Sequence, residues 1–296
     1  MKEELLKYHI DYQENISLKD YTTLHIGGNA NYIVFPKSHQ DIQRCIEIAH
    51  QHHMPYFVIG KGSNILALDE GYQGMLIHLA KSFHQIQQLG NNQIKVQSGA
   101  SLQDVNQFCL EHELTGLEFS CGIPGTIGGA IYMNAGAYGG EMKDIVKSVT
   151  YLDENLNFIT LSQKDLLFSY RQSYFTHHHG IIVEAIFQLQ KGCFQEIDNR
   201  IKELMKKRYH KQPMEAYSAG STFKRPDGHY ASALIRECGL QGIHIGDAQV
   251  SCKHAGFLIN RGNASSDDFL KLVAFVQQKV YEQTGYQLHC EVQILK

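Results

Sequence analysis

Residues 120–140 read SCGIPGTIGGAIYMNAGAYGG, a stretch with seven of the chain's 26 glycines and no charged side chain. Glycine costs about 1 kcal/mol per helix position relative to alanine, so the composition predicts neither a good helix nor a good strand. What glycine offers is backbone freedom and no Cβ, which lets main-chain N–H groups press against a ligand. The stretch therefore reads as a cofactor cradle, with a glycine-rich crossover between packed layers as the alternative. Asn134, Ala135, Gly136, Ala137 and Tyr138 favour the cradle. A packing crossover has little use for Asn134, whereas a phosphate-binding nest of successive N–H groups does.

Upstream, an apolar strand at 56–59 empties into Gly60-Lys61-Gly62-Ser63-Asn64-Ile65 after a capping-box helix opened by Ser38 and Asp41, a βαβ-like order. The dinucleotide fingerprint fails here because its third glycine is missing and 66–74 is broken and polar. The Walker A pattern fails because Lys61 precedes the second glycine. GKGSN is thus a second glycine-rich turn that could meet the cradle on one ligand. Between the two lie a strand at 75–79, a hairpin about Gly90-Asn91-Asn92, and a helix at 101–113 with a capping box of Ser101 and Asp104.

Beyond the cradle the pattern predicts a strand at 144–152, a helix over 161–170, a strand at 181–189 and a helix at 196–209. A separate C-terminal α+β unit follows. It has a helix at 230–238, strands within 249–260, and a helix at 269–283 opened by Ser265 and Asp268. The final strand alternates Leu288, Cys290, Val292 and Ile294 against His289, Glu291 and Gln293, which turns Glu291 away from the apolar set. This order suggests two small α+β lobes with a ligand between them, not one doubly wound sheet.

With 296 residues, 43% hydrophobic and 19% charged, the chain is of ordinary soluble globular composition. A net charge of −3 gives no reason to expect nucleic acid or an anionic membrane as partner. No apolar run is long enough for a bilayer and MKEELLKYHI lacks a signal peptide's apolar core, so the expected location is the cytoplasm. Seven cysteines without a CxxC pair are expected to be reduced and mostly buried. The 17 histidines, including 177–179 and His52-His53, lack ligand spacing, so no metal is expected.

GKGSN (60–64), PGTIGGAIYMNAGAYGG (124–140), SYRQS (169–173), AGSTFKRP (219–226) and EVQ (291–293) occur together and in this order. The set resembles the UDP-N-acetylenolpyruvoylglucosamine reductases over nearly the entire chain, and the shorter of that family's two types. The resemblance implies an α+β fold. A two-subdomain FAD-binding module of the vanillyl-alcohol-oxidase-like (PCMH) type would occupy 1–79 and 80–195, and a C-terminal α+β substrate domain 196–296. It implies noncovalent FAD, NADPH as cosubstrate, and reduction of UDP-N-acetylglucosamine enolpyruvate to UDP-N-acetylmuramate for peptidoglycan.

Residue by residue, the resemblance makes Arg171 the carboxylate-binding arginine, Ser221 the proton donor and Glu291 a residue acting near the same carbon. It assigns cofactor binding to Thr23, Gly60, Lys61, Gly62, Ser63, Asn64, Ile65, Gly122, Ile123, Pro124, Gly125, Thr126, Gly128, Gly129, Asn134, Ala135 and Gly136. It assigns substrate binding to Lys211, Lys224, Arg225 and His254. Many relatives have asparagine at Arg225, and many have an extra loop bearing a substrate-covering tyrosine; neither is present here. Rival readings are an oxidase on the same fold, with Cys121 a conceivable flavin tether, and a catalytically silent flavin or UDP-sugar sensor.

Overall fold

Asn91 and Asn92 both have positive φ (49° and 57°), which gives a two-residue turn the twist that antiparallel strands require. In this computed structural model, which describes residues 1–296, the turn joins Ile86–Gly90 to Gln93–Gln97. The hairpin is one edge of a five-stranded antiparallel sheet. Its order is Phe158–Ser162, Val146–Leu152, Ile181–Gln188, Gln93–Gln97, Ile86–Gly90. Ile94, Val96, Val149 and Phe187 from the strands join Leu102, Val105, Ile127 and Ile131 from two helices in one buried core. A second sheet has the order Asp11–Ser17, Asn29–Phe35, Tyr72–His78, Tyr56–Ile59, the last two strands running parallel.

By compactness the chain forms two units. The first comprises Met1–Gln13, Ile33–Gly60 and Met75–Lys207, and the second Glu14–Tyr32, Lys61–Gly74 and Arg208–Lys296. The second unit holds a four-stranded antiparallel sheet (Tyr217–Ser218, Leu258–Asn260, Ala248–Val250, His244–Ile245) with helices Ala231–Glu237 and Ser266–Thr284. Its core includes Phe269, Leu272, Val276 and Val280 from the long helix, and Leu24, Ile26 and Leu66 from the two earlier segments.

Four expectations are corrected. Residues 161–170 form no α-helix. Phe158–Ser162 pairs in register with Val146–Leu152, followed by a short 3-10 turn, Gln163–Leu166, because sheet pairing outweighs a weak helical spacing. The glycine-rich cradle contains a helix, Ile127–Tyr132. Of the cysteines only Cys45, Cys109 and Cys121 are buried; Cys193, Cys252 and Cys290 are exposed. The last strand is only Gln293–Leu295, parallel to Ile65–Ala67. Leu288 and Val292 are buried but Cys290 and Ile294 are exposed, because a single bridge to Phe223 does not hold the segment to a period of two.

Candidate active site

Gly60, the first residue of the GKGSN turn, meets the cradle within the first unit. Gly60 ends the strand Tyr56–Ile59, and a Cβ built on it would lie 2.2 Å from Thr126 Oγ1, so only glycine admits this contact. Thr126 is the N-cap residue of the cradle helix. The adjacent Gly128 and Gly129 then differ in what they serve. A Cβ on Gly128 would come within 3.0 Å of Ser98 Cβ, a packing demand of the chain itself. Gly129 is exposed, and a Cβ there would meet nothing closer than Thr126 Oγ1 at 3.8 Å. Alanine would fit there, so no contact within the chain demands glycine at Gly129. A phosphate-bearing cofactor approaching main-chain N–H groups would use that bare backbone, and the cradle fits FAD. Gly122, Ile123 and Gly125 are partly buried and Pro124 exposed on the approach to Thr126, while Gly125 O accepts from Leu102 N–H at 3.0 Å.

Asn134 does something other than line a nest. It is fully buried with φ 41°; its Nδ2 donates to Glu141 Oε2 (2.6 Å) and to Ser169 O (2.9 Å), and its Oδ1 accepts from Lys143 N–H (3.0 Å). Both amide hydrogens are taken, and its main-chain N–H donates to Ile131 O at 3.1 Å, so every donor of Asn134 is engaged within the chain. Ala135 and Gly136 are partly buried; Gly136 begins the first strand of a small hairpin, and Ala135 O, just before it, accepts from Met142 N–H at 3.0 Å. Glu141 lies beyond the glycine run and was not legible as Asn134's partner. Cys121 is 4% exposed with Sγ 3.9 Å from Ile201 O, so its sulfur is packed inside, contrary to a flavin tether.

The Asn134 bond to Ser169 ties the cradle to the turn that carries Arg171. Ser169 and Gln172 exchange backbone hydrogen bonds (3.1 and 3.2 Å), leaving Tyr170 and Arg171 at the tip. Arg171 has φ 56°, a left-handed conformation that costs an L-residue roughly 1–2 kcal/mol. Its Nη2 donates to Gly136 O at 3.3 Å and its guanidinium lies 5.3 Å from the Tyr170 ring centroid. Arg171 is thus a half-buried cation at the tip of a tight turn. The sequence reading missed Tyr170 as the support, although it precedes Arg171 directly.

Ser221 and Glu291 belong to the second unit and are brought together by backbone pairing. Glu291 N–H donates to Thr222 O (2.8 Å), Phe223 bridges Cys290, and Lys224 N–H donates to His289 O (2.8 Å). Ser221 therefore stands one residue from Glu291's partner. It is exposed, and it caps no helix, since the next helix begins only at Ala231. Glu291 is half-buried, and its carbonyl accepts from Asn64 Nδ2 at 3.1 Å, which brings the GKGSN turn to the same place. In that turn Lys61 is exposed, Gly62 and Ile65 are buried and Ser63 is partly buried, and Thr23 accompanies it, with Thr23 N–H donating to Gly62 O at 3.3 Å. Thr23 Oγ1 donates to Ser218 O at 2.7 Å, so that hydroxyl is engaged by the chain.

Among the residues expected to bind substrate, Lys211 and Arg225 are exposed and Lys224 is partly buried. His254 is partly buried, and burial lowers its pKa, which keeps it neutral near pH 7. Its Nδ1 accepts from Gly256 N–H at 3.2 Å, which places the ring proton on Nε2 as a donor.

A family model for the C-terminal domain of UDP-N-acetylenolpyruvoylglucosamine reductase matches residues 212–295, and one for an FAD binding domain matches residues 30–162. The UDP-N-acetylenolpyruvoylglucosamine reductase of Clostridium novyi is 42% identical over 287 residues, 96% of this chain and 92% of its own length. The crystal structure of the corresponding reductase from Thermus caldophilus matches with a TM-score of 0.82 and 34% identity, over 97% of this chain and 99% of that one. Cholesterol oxidase from Brevibacterium sterolicum matches with a TM-score of 0.50 and 14% identity, over 62% of this chain and 38% of its own, a likeness of fold alone. The fold is thus the α+β type of the FAD-dependent oxidases with a further C-terminal domain, and the chain belongs to the UDP-N-acetylenolpyruvoylglucosamine reductase family.

Proposed function

We propose that this chain is an FAD-dependent oxidoreductase that uses NADPH to reduce UDP-N-acetylglucosamine enolpyruvate to UDP-N-acetylmuramate in peptidoglycan precursor synthesis. Bound FAD supplies a ring that accepts hydride from NADPH and releases it to the substrate. Residues 1–79 and 80–195 serve the flavin and 196–296 the nucleotide-sugar, a division by ligand rather than by compactness. No helix is long and apolar enough to cross a membrane, and the reading places the reaction in the cytoplasm, where its soluble nucleotide substrates are.

Hydride arriving at the terminal carbon of the enolpyruvyl group forms a C–H bond, and the π pair shifts onto the α-carbon and its carboxylate. Arg171 holds that carboxylate, and its planar fork of donors stabilises the growing charge. Ser221 gives its proton to the α-carbon, completing the lactyl ether, and its exposure lets solvent restore the hydroxyl. A neutral donor adds no charge to the site. Glu291 orients groups or relays the proton near the same carbon. Gly129 and its neighbours hold the cofactor's phosphates, and Lys211, Lys224, Arg225 and His254 contact the nucleotide-sugar.

The observation that carries this reading is the pairing that sets an uncapping, exposed Ser221 beside the Thr222–Glu291 hydrogen bond at 2.8 Å. Anaerobic stopped-flow on Ser221→Ala separates the two half-reactions. Flavin reduction by NADPH is expected to stay within about twofold of the parent, while reoxidation by the nucleotide-sugar falls by on the order of 10²-fold or more. Equal loss in both halves would refute the role of Ser221.

A further inference from the structure

Arg225 follows the Ser221 segment and precedes Pro226, which biases its backbone toward an extended conformation. The turn after it folds back, with His229 N–H donating to Pro226 O at 3.2 Å and Gly228 at φ 73°. This return lays the Tyr230 ring under the Arg225 guanidinium, 4.2 Å from guanidinium carbon to ring centroid.

Local stability does not account for Tyr230. Its ring is 60% exposed, so it gains little from burial. It also occupies the N-cap position of helix Ala231–Glu237 and makes no side-chain cap hydrogen bond, at a place where serine, threonine, asparagine or aspartate contributes about 1 kcal/mol. What remains is the cation–π contact. A ring against a guanidinium restricts its orientation and reduces the rotamer freedom lost on binding, while leaving its planar fork of N–H groups chemically intact. Such a fork fits the oxygens of a phosphate.

We infer that Tyr230 is a positioning residue: its ring holds the Arg225 guanidinium in the orientation that grips the diphosphate of the nucleotide-sugar. This rests on the proposed substrate and on Arg225 touching it. It assigns a role to a tyrosine that the motif reading leaves out, in a chain lacking a covering loop.

The experiment measures KM and kcat of the FAD-loaded enzyme for UDP-N-acetylglucosamine enolpyruvate in Arg225→Ala, Tyr230→Ala, Tyr230→Phe, Tyr230→Leu and the Arg225→Ala/Tyr230→Ala double variant. Tyr230→Ala and Tyr230→Leu are expected to raise KM about two- to fivefold with kcat little changed, the range of an exposed cation–π contact. Tyr230→Phe restores the parent KM because the π face is kept, and Tyr230→Leu keeps the bulk should the alanine variant fold poorly. Adding Tyr230→Ala to Arg225→Ala changes nothing further. An unchanged KM in Tyr230→Leu, or a Tyr230 effect that persists without Arg225, overturns the positioning role. An unchanged KM in Arg225→Ala overturns the contact on which it rests, and an enzyme inert toward the nucleotide-sugar overturns the proposed substrate instead.

Discussion

Arg171 is held where an arginine prefers not to be. Its positive φ strains the backbone, while its guanidinium donates to Gly136 O at 3.3 Å. Replacing it with glycine relieves the strain while removing the charge. Arg171→Gly is therefore expected to show a thermal midpoint equal to or above the parent's, with turnover lower by on the order of 10²–10³-fold, the scale for loss of a donor to developing charge. Scanning calorimetry and steady-state assays check both; a large fall in midpoint would mean the residue is held for structure. SYRQS marked this arginine, but nothing in the motif announced its left-handed turn or the hydrogen bond that Asn134 makes to Ser169 from across the chain. Asn134 itself was read for its polarity, and that polarity is satisfied internally.

At the scale of elements, the cradle helix is the informative one. Six residues long and containing two glycines, it is weak on propensity, yet Ile127 and Ile131 anchor it in the core of the five-stranded sheet. Gly129→Ala is expected to stabilise the apoprotein by about 0.5–1 kcal/mol and to weaken FAD binding by roughly tenfold or more. Thermal melts of apoprotein and fluorescence titration with FAD read the two effects separately. Unchanged FAD affinity would mean that the exposed backbone at Gly129 faces no cofactor. The helices opened by Ser38 with Asp41 and by Ser265 with Asp268 were legible because a capping box is written within four residues, and both boxes are formed. The Ser101 turn is a variant, with Ser101 Oγ donating to Asp104 Oδ2 at 2.6 Å. Residues 161–170 and 288–294 misled because their conformation depends on strands far away in sequence.

For the whole molecule, the order of motifs along the chain was readable, whereas the grouping of the chain into compact units was not. Segments Glu14–Tyr32 and Lys61–Gly74 pack with Arg208–Lys296, and such long-range association leaves no periodic signal in the segments concerned. The likeness to cholesterol oxidase extends over 62% of the chain at 14% identity, while Ser221 and Glu291 fall in the C-terminal region 212–295 that the reductase family model matches. Fold alone leaves oxidase and reductase chemistry open; these residues favour the reductase.

The most direct test follows the visible spectrum of the purified protein, first under anaerobic NADPH and then with UDP-N-acetylglucosamine enolpyruvate. The account predicts a flavin absorbance that bleaches with NADPH and returns when the nucleotide-sugar is added. Recovery with air while the nucleotide-sugar has no effect, or a folded protein that takes up no flavin, would contradict it.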